Sequence, residues 1–265
     1  MELLHGDCLE LMRDIPDSSI DMVLCDLPYG TSACKWDSVL PFDALWEQYE
    51  RIIKYSGAIV LFGSEPFSSL LRTSNLKLYK YDWKWEKPNG ANFLNIKYQP
   101  SKCYEDIMVF GKGATSRSTK ANMTYNPQME IGTPYYMVSG KQKTENGNVI
   151  GATVRSPIKQ VVTNNDGTRY PRAVIRFASD KEKLHPTQKP VKLLEYLIRT
   201  YTNEGDTVLD NCMGSGSTGV ACINTNRRFV GMELDDSFYQ IACKRVEEAQ
   251  KQKETESAQM QIFDL

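Results

Sequence analysis

Four short apolar runs along this chain each stop at an acid. Leu3-Leu4-His5-Gly6 reads as a strand ending at Asp7, and Ile20-Asp21-Met22-Val23-Leu24-Cys25 as a buried strand ending at Asp26. Thr207-Val208-Leu209 leads in the same way to Asp210, and Phe229-Val230-Gly231-Met232 to Glu233. Between these runs the apolar spacing changes to that of helices. Phe42, Leu45, Trp46, Tyr49, Ile52 and Ile53 predict an amphipathic helix opened by Pro41. Phe67, Leu70 and Leu71 predict a second, and Val191, Leu194, Leu197, Ile198 and Tyr201 a third, opened by Pro190 and stopped by Gly205. Residues 58–62 form the clearest buried strand, 79–85 alternate as a half-buried strand, and 106–110 make another. A last helix is expected over about 237–248, followed by a polar tail.

Strands alternating with helices predict an α/β fold on a largely parallel sheet. In such sheets ligands bind at the carboxyl edge of the strands, where all four acids are expected to fall. The pattern breaks from residue 111 to about 180, where Ser, Thr, Asn, Gly and Lys dominate and 139–151 read as flexible. The expected organisation is therefore one half of the sheet domain over 1–110, a loop-rich insertion over 111–184, the other half over 185–250, and a tail over 251–265.

Charge gives the insertion a purpose. The chain of 265 residues carries a net charge of −1. Residues 111–185 alone carry +7, and the remainder −8. One basic block on an acidic protein is the pattern of a local polyanion-binding surface. Seven cysteines without a CxxC pair, and only two histidines, support neither a disulfide framework nor a zinc site. With no basic leader and no apolar run long enough to span a bilayer, the chain reads as cytosolic with reduced thiols.

The candidate chemistry lies at two loops. Asp26-Leu27-Pro28-Tyr29 sets an acid, a backbone carbonyl held before Pro28 and an aromatic ring side by side. Asp26 and that carbonyl can accept hydrogen bonds from the amine of a flat ring on which Tyr29 stacks. A strand end followed by an ordinary Pro-Gly turn would look the same, so the four residues alone leave both readings open. Gly214-Ser215-Gly216-Ser217-Thr218-Gly219 fits G-x-G-x-x-G between a strand and a helix. Glu233 follows Asp210 at a spacing suited to an acid on a ribose diol, which points to an adenosine-containing ligand. The loop by itself does not separate a dinucleotide from S-adenosylmethionine (AdoMet).

Together these stretches resemble one family. Asp26-Leu27-Pro28-Tyr29 is similar to the D-P-P-Y motif of amino-methylating DNA methyltransferases, and His185-Pro186-Thr187-Gln188-Lys189-Pro190, then Asp210 to Gly219, resembles their AdoMet half. The catalytic motif comes first, the basic region second and the cofactor loop last, as in the circularly permuted β group. The resemblance implies a Rossmann-like AdoMet-dependent sheet with an inserted recognition region, acting on adenine N6 of a base flipped from double-stranded DNA. Asp26 and the Leu27 carbonyl would hold the amine, Pro28 would stiffen the loop and Tyr29 would stack on the base. Glu233 would bind the ribose and Asp7 lie by the adenine. Asp210, Gly214 and Gly216 would line the methionine part, with Thr187 and Lys189 near its carboxylate.

Two departures bear on this. Leu27 replaces the first proline, and Asn211-Cys212-Met213 replaces Pro-Phe-x, removing an aromatic partner of the cofactor. The alternatives are N4 of cytosine, a DNA-binding relative that has lost activity, and, on the glycine loop alone, a nicotinamide oxidoreductase. Carbon-5 methylation of cytosine is disfavoured, since no cysteine follows a proline. Gln259-Met260-Gln261-Ile262-Phe263 resembles the peptide by which bacterial proteins dock on the sliding clamp. Pairing into a homodimer is left open.

Overall fold

The structure, a computed structural model, describes residues 1–30, 38–117, 121–139, 161–180 and 188–263. In chain order the first elements are β1 (Glu2–His5), α1 (Cys8–Leu11), β2 (Ile20–Cys25), α2 (Phe42–Ile52), β3 (Ile53–Gly63), α3 (Phe67–Ser74), β4 (Tyr79–Ala91) and β5 (Lys102–Phe110). Four short strands follow: β6 (Glu130–Ile131), β7 (Tyr135–Ser139), β8 (Val161–Asn165) and β9 (Thr168–Arg169). The chain continues through β10 (Val174–Arg176), α4 (Val191–Tyr201), β11 (Thr207–Asp210), α5 (Ser217–Asn224), β12 (Arg228–Glu233) and α6 (Asp236–Phe263).

Eight strands make one sheet in the order β1-β12-β11-β2-β3-β5-β4-β10, in which β5 alone runs against its neighbours. The expected alternation of strand and helix thus becomes a doubly wound sheet with a core on each face. Alternate residues of β2 divide between them. Met22 and Leu24 pack with Leu194, Leu197 and Ile198 of α4, and Val23 and Cys25 pack with Leu45, Tyr49 and Ile52 of α2. Burying both faces explains why this strand is apolar throughout rather than alternating.

The register lines up the acids. His5 pairs with Glu233, Gly231 with Asp210, and Leu209 with Val23, so Asp7, Asp26, Asp210 and Glu233 all sit at one edge. Ile53, read as the end of a helix, instead opens β3, its backbone extended at φ −73° and ψ 133°. Among the described residues no helix is long and apolar enough to cross a membrane.

Two further differences concern the expected boundaries. Residues 174–176, taken as part of the insertion, form an edge strand of the main sheet beside Lys84, Trp85 and Glu86. The compact units are Met1–Asn126 with Arg172–Leu265, and Pro127–Pro171. The smaller unit pairs β7 with β8 and β6 with β9, and Arg169 bonds Asn165 and Thr133 while lying 4.9 Å over the Tyr135 ring. The residues read as a polar tail, 251–263, continue α6 instead. Lys, Glu, Gln and Ala favour helix without any core to face, and bonds four residues apart, such as Lys251 to Glu247 at 2.5 Å, reinforce it.

Candidate active site

The carboxyl edge opens into a cavity of about 880 Å³, within the range of small-molecule sites. Asp7, Asp26, Tyr29, Asp210, Gly214 and Glu233 all line it. Of the other expected residues, Leu27, Pro28 and Lys189 share this wall, and Gly216 opens α5 beside it. Thr187 lies outside the described residues.

The glycine loop is shaped by its own backbone. Gly216 adopts φ +75° as the cap of α5, a conformation that suits glycine, and a Cβ there would lie 3.1 Å from Ala242 of α6. Glu233 steadies the loop, its Oε2 accepting from the Gly214 N–H at 2.8 Å and its Oε1 from the Asp235 N–H at 2.9 Å. Asp7 caps α1 through the Leu9 N–H at 2.8 Å. The unusual Asn211-Cys212-Met213 is also firmly placed. Tyr49 of α2 donates to Asn211 Oδ1 at 2.5 Å, the Met213 N–H donates to the Met232 carbonyl at 2.9 Å, and a Cβ on Gly231 would lie 2.4 Å from the Met213 sulfur. Phe238, in the first turn of α6, puts an aromatic ring in the cavity wall where the loop supplies none. These residues fit an adenosine-bearing cofactor.

Asp210 is deeply buried, accepting from Thr218 Oγ1 at 2.6 Å and the Cys212 N–H at 3.2 Å. Burial pushes its carboxyl up to about 6, and the Thr218 bond offsets only part of this. An unfolded aspartate titrates near 4, so between about pH 4 and 6 the folded chain holds the extra proton and stability falls as pH rises. Asp210→Asn is therefore expected to raise the unfolding free energy by about 2 kcal/mol at pH 8 and hardly at all at pH 4, read by urea unfolding. The thiols of Cys8, Cys25 and Cys212 at this edge are held neutral. Cys25 is pushed up to about 12 by burial, and Cys8 and Cys212 are pushed up chiefly by thiol hydrogen bonds within the cluster. A neutral thiol is a poor nucleophile.

At the next strand the Asp26-Leu27-Pro28-Tyr29 loop is built into a charged network. Tyr29 Oη donates to Asp26 Oδ1 at 2.6 Å, and its ring stacks on Phe67 of α3 at 4.8 Å between centroids. Lys189, expected beside the cofactor's carboxylate, bonds Asp26 and lies 3.4 Å from Glu105 of β5. The reason is electrostatic. A buried ammonium needs counter-charges, and among the described residues these two carboxylates supply them. Lys87 of β4 also pairs with Glu105. Burial alone would lower the Lys189 ammonium, but Asp26 and Glu105 outweigh it and hold it above its ordinary value. Burial raises Asp26, and Lys189 offsets only part of that rise. Tyr29 is pushed well up by burial and by Asp26, so it stays a neutral donor.

Phe67, Glu105 and Phe238 carry no sequence signal at this site. The glycine loop and the Asp26-Leu27-Pro28-Tyr29 loop, on adjacent strands, thus open into one cavity. The DNA methylase family matches this sequence over residues 20–244, and the chain belongs to that family. It is 25% identical over 257 residues to the DNA adenine methyltransferase YhdJ of Escherichia coli K12, covering 93% of this chain and 83% of that protein. With the type II methyltransferase M2.DpnII of Streptococcus pneumoniae it shares 27% over 273 residues, covering 93% and 90%. The crystal structure of the M1.HpyAVI–SAM complex superposes with a TM-score of 0.60 at 25% identity, covering 92% of this chain and 98% of that one. The cytosine-N4-specific PvuII DNA methyltransferase shares the fold, with a TM-score of 0.64 at 14% identity over 95% and 91%.

Proposed function

We propose that this chain methylates the N6 amine of an adenine flipped out of double-stranded DNA at a particular sequence. The observation that carries this is the single cavity lined by both Asp26-Tyr29 and Asp7-Glu233. Glu233 holds the ribose, Asp7 lies by the cofactor's adenine with Phe238 as its apolar neighbour, and Asp210, Gly214 and Gly216 border the methionine part. When bound, AdoMet supplies an electrophilic methyl on a sulfonium. Asp26 and the Leu27 carbonyl accept hydrogen bonds from the exocyclic amine, which frees its lone pair from conjugation with the ring. A carboxylate has about four acceptor sites, so Asp26 can serve Tyr29, Lys189 and an amine together. Transfer would form the N–C bond as the sulfonium's S–CH3 bond breaks and a neutral thioether leaves; the nitrogen would then give up one proton, for which Asp26 is the acceptor. Tyr29, braced by Phe67, offers the flipped base a stacking face.

The YhdJ relative, a DNA adenine methyltransferase, supports adenine, and an aspartate at position 26 favours adenine over cytosine N4. The unit Pro127–Pro171, with Tyr136 and Tyr170 exposed and a basic sequence around it, is assigned to reading the DNA sequence. A cytoplasmic enzyme of a bacterial cell or a phage-infected host fits these relatives. Clamp docking through Gln259–Phe263 now requires that segment to leave α6, and a peptide of the last ten residues that fails to bind a clamp ends the idea.

Expression in a host free of this modification, followed by sequencing that detects modified bases, tests the proposal. A recurrent short motif carrying a modified adenine is expected. A modified cytosine would move the target to N4, and scattered modification would refute site specificity.

A further inference from the structure

Strands β4 and β5 do not stop with the rest of the sheet. Gly63, the end of β3, pairs with Asp106, so Lys102 to Glu105 run on past the edge for about 13 Å, with Trp85 to Ala91 alongside. The tip of this hairpin leaves its apolar side chains in water. Phe93 is 72% exposed, Leu94 79%, Ile96 56% and Tyr98 89%. Such a cluster on the surface marks an interaction site.

The tip is nonetheless built. Asn92 stands at φ +60° and its Oδ1 accepts from the Lys102 N–H at 2.9 Å. The Asn95 N–H donates to the Asn92 carbonyl, and the Tyr98 and Gln99 N–H groups donate to the Asn95 carbonyl, at 2.8–3.0 Å. Its charge is of one sign, for residues 87–104 hold Lys87, Lys97 and Lys102 and no acid. Its base reaches the catalytic loop through Lys87, Glu105, Lys189 and Asp26 in turn.

We infer that this tip enters the DNA duplex beside the catalytic pocket, where Phe93, Leu94, Ile96 and Tyr98 fill the stack that the extruded base vacates and the lysines meet the flanking phosphates. The inference rests on the base-flipping reading above. An apolar wedge between base steps offsets lost stacking, and a basic rim without acids suits a polyanion, whereas the same rim on a second copy of this chain would repel it.

The test uses the full chain with Phe93, Leu94, Ile96 and Tyr98 all changed to serine. Since these side chains are exposed, AdoMet binding and thermal unfolding are expected to stay as in the wild type. Methyl transfer to a duplex carrying the mapped target site is expected to fall ~10-fold or more. Transfer should return close to the wild-type rate on a duplex with an abasic position opposite the target, where extrusion costs less. Unchanged transfer on the intact duplex overturns the wedge and leaves the methyltransferase reading standing. A fall that the abasic duplex does not repair also overturns it. If sedimentation then shows that a wild-type dimer has become a monomer, the tip is a self-interface. Phe93→Trp supplies a readout without turnover, because its emission is quenched on adding the duplex only where the ring stacks on a base. A wild-type chain that transfers no methyl sinks the enzyme reading instead, and the absence of quenching sinks the wedge in either case.

Discussion

Asp26→Ala is expected to lower methyl transfer about 1000-fold while leaving AdoMet affinity close to that of the wild type. On the proposed function, the variant removes both an acceptor for the amine and the base that takes its proton. Neither duty touches Glu233 or the glycine loop, whose contacts are with Gly214 and Asp235. The fold survives, since Lys189 keeps Glu105 as a counter-charge. Asp26→Asn separates the two duties, for it retains an acceptor oxygen but no base. Isothermal titration with AdoMet and single-turnover transfer, run on the same preparations, distinguish loss of chemistry from loss of binding. A parallel loss of cofactor affinity would show that Asp26 belongs to the cofactor's side of the cavity.

Lys189→Met tests the charged network beneath that loop. The methionine keeps an apolar stem but removes the ammonium, which lies 5.0 Å over the Phe62 ring and is shared by Asp26 and Glu105. Two carboxylates are then left facing one another in a largely dry site. A loss of about 3 kcal/mol in unfolding free energy is expected at pH 8. Because the wild-type ammonium is held above its ordinary value, its stabilisation is complete at neutral pH and fades only above about pH 10.5. The variant's deficit shrinks towards pH 5, as Asp26, already raised by burial and no longer restrained by Lys189, takes up a proton. The acid limb of the rate profile should move to higher pH for the same reason. Adding Glu105→Gln relieves the repulsion and recovers most of the stability. Equal destabilisation at pH 5 and 8 would contradict this picture.

The parts of this site that were legible in the sequence share one property. Each lies where a local pattern changes: Asp26, Asp210 and Glu233 where a strand stops, and Gly214 and Gly216 before a helix. What was not legible depends on partners far along the chain. Glu105 reaches Lys189 because β5 runs against β3, and apolar spacing carries no strand direction. Phe67 and Phe238 sit on helices whose faces look alike in sequence whether they meet a core or a cavity. The Asn211-Cys212-Met213 departure was visible, but not what holds it in place, a Tyr49 bond to Asn211 and a Met213 packed on Gly231. The length of α6 was missed because residues 251–263 follow helix propensity without the apolar stripe that reveals a packed helix.

The central claim is that one cavity brings a cofactor methyl to a base amine. Its most direct test is the incubation of purified protein with methyl-labelled AdoMet and mixed-sequence duplex DNA, with the digested nucleosides separated by mass spectrometry. The label is predicted in N6-methyldeoxyadenosine. DNA without a labelled base, from a protein that binds AdoMet under the same conditions, would contradict it.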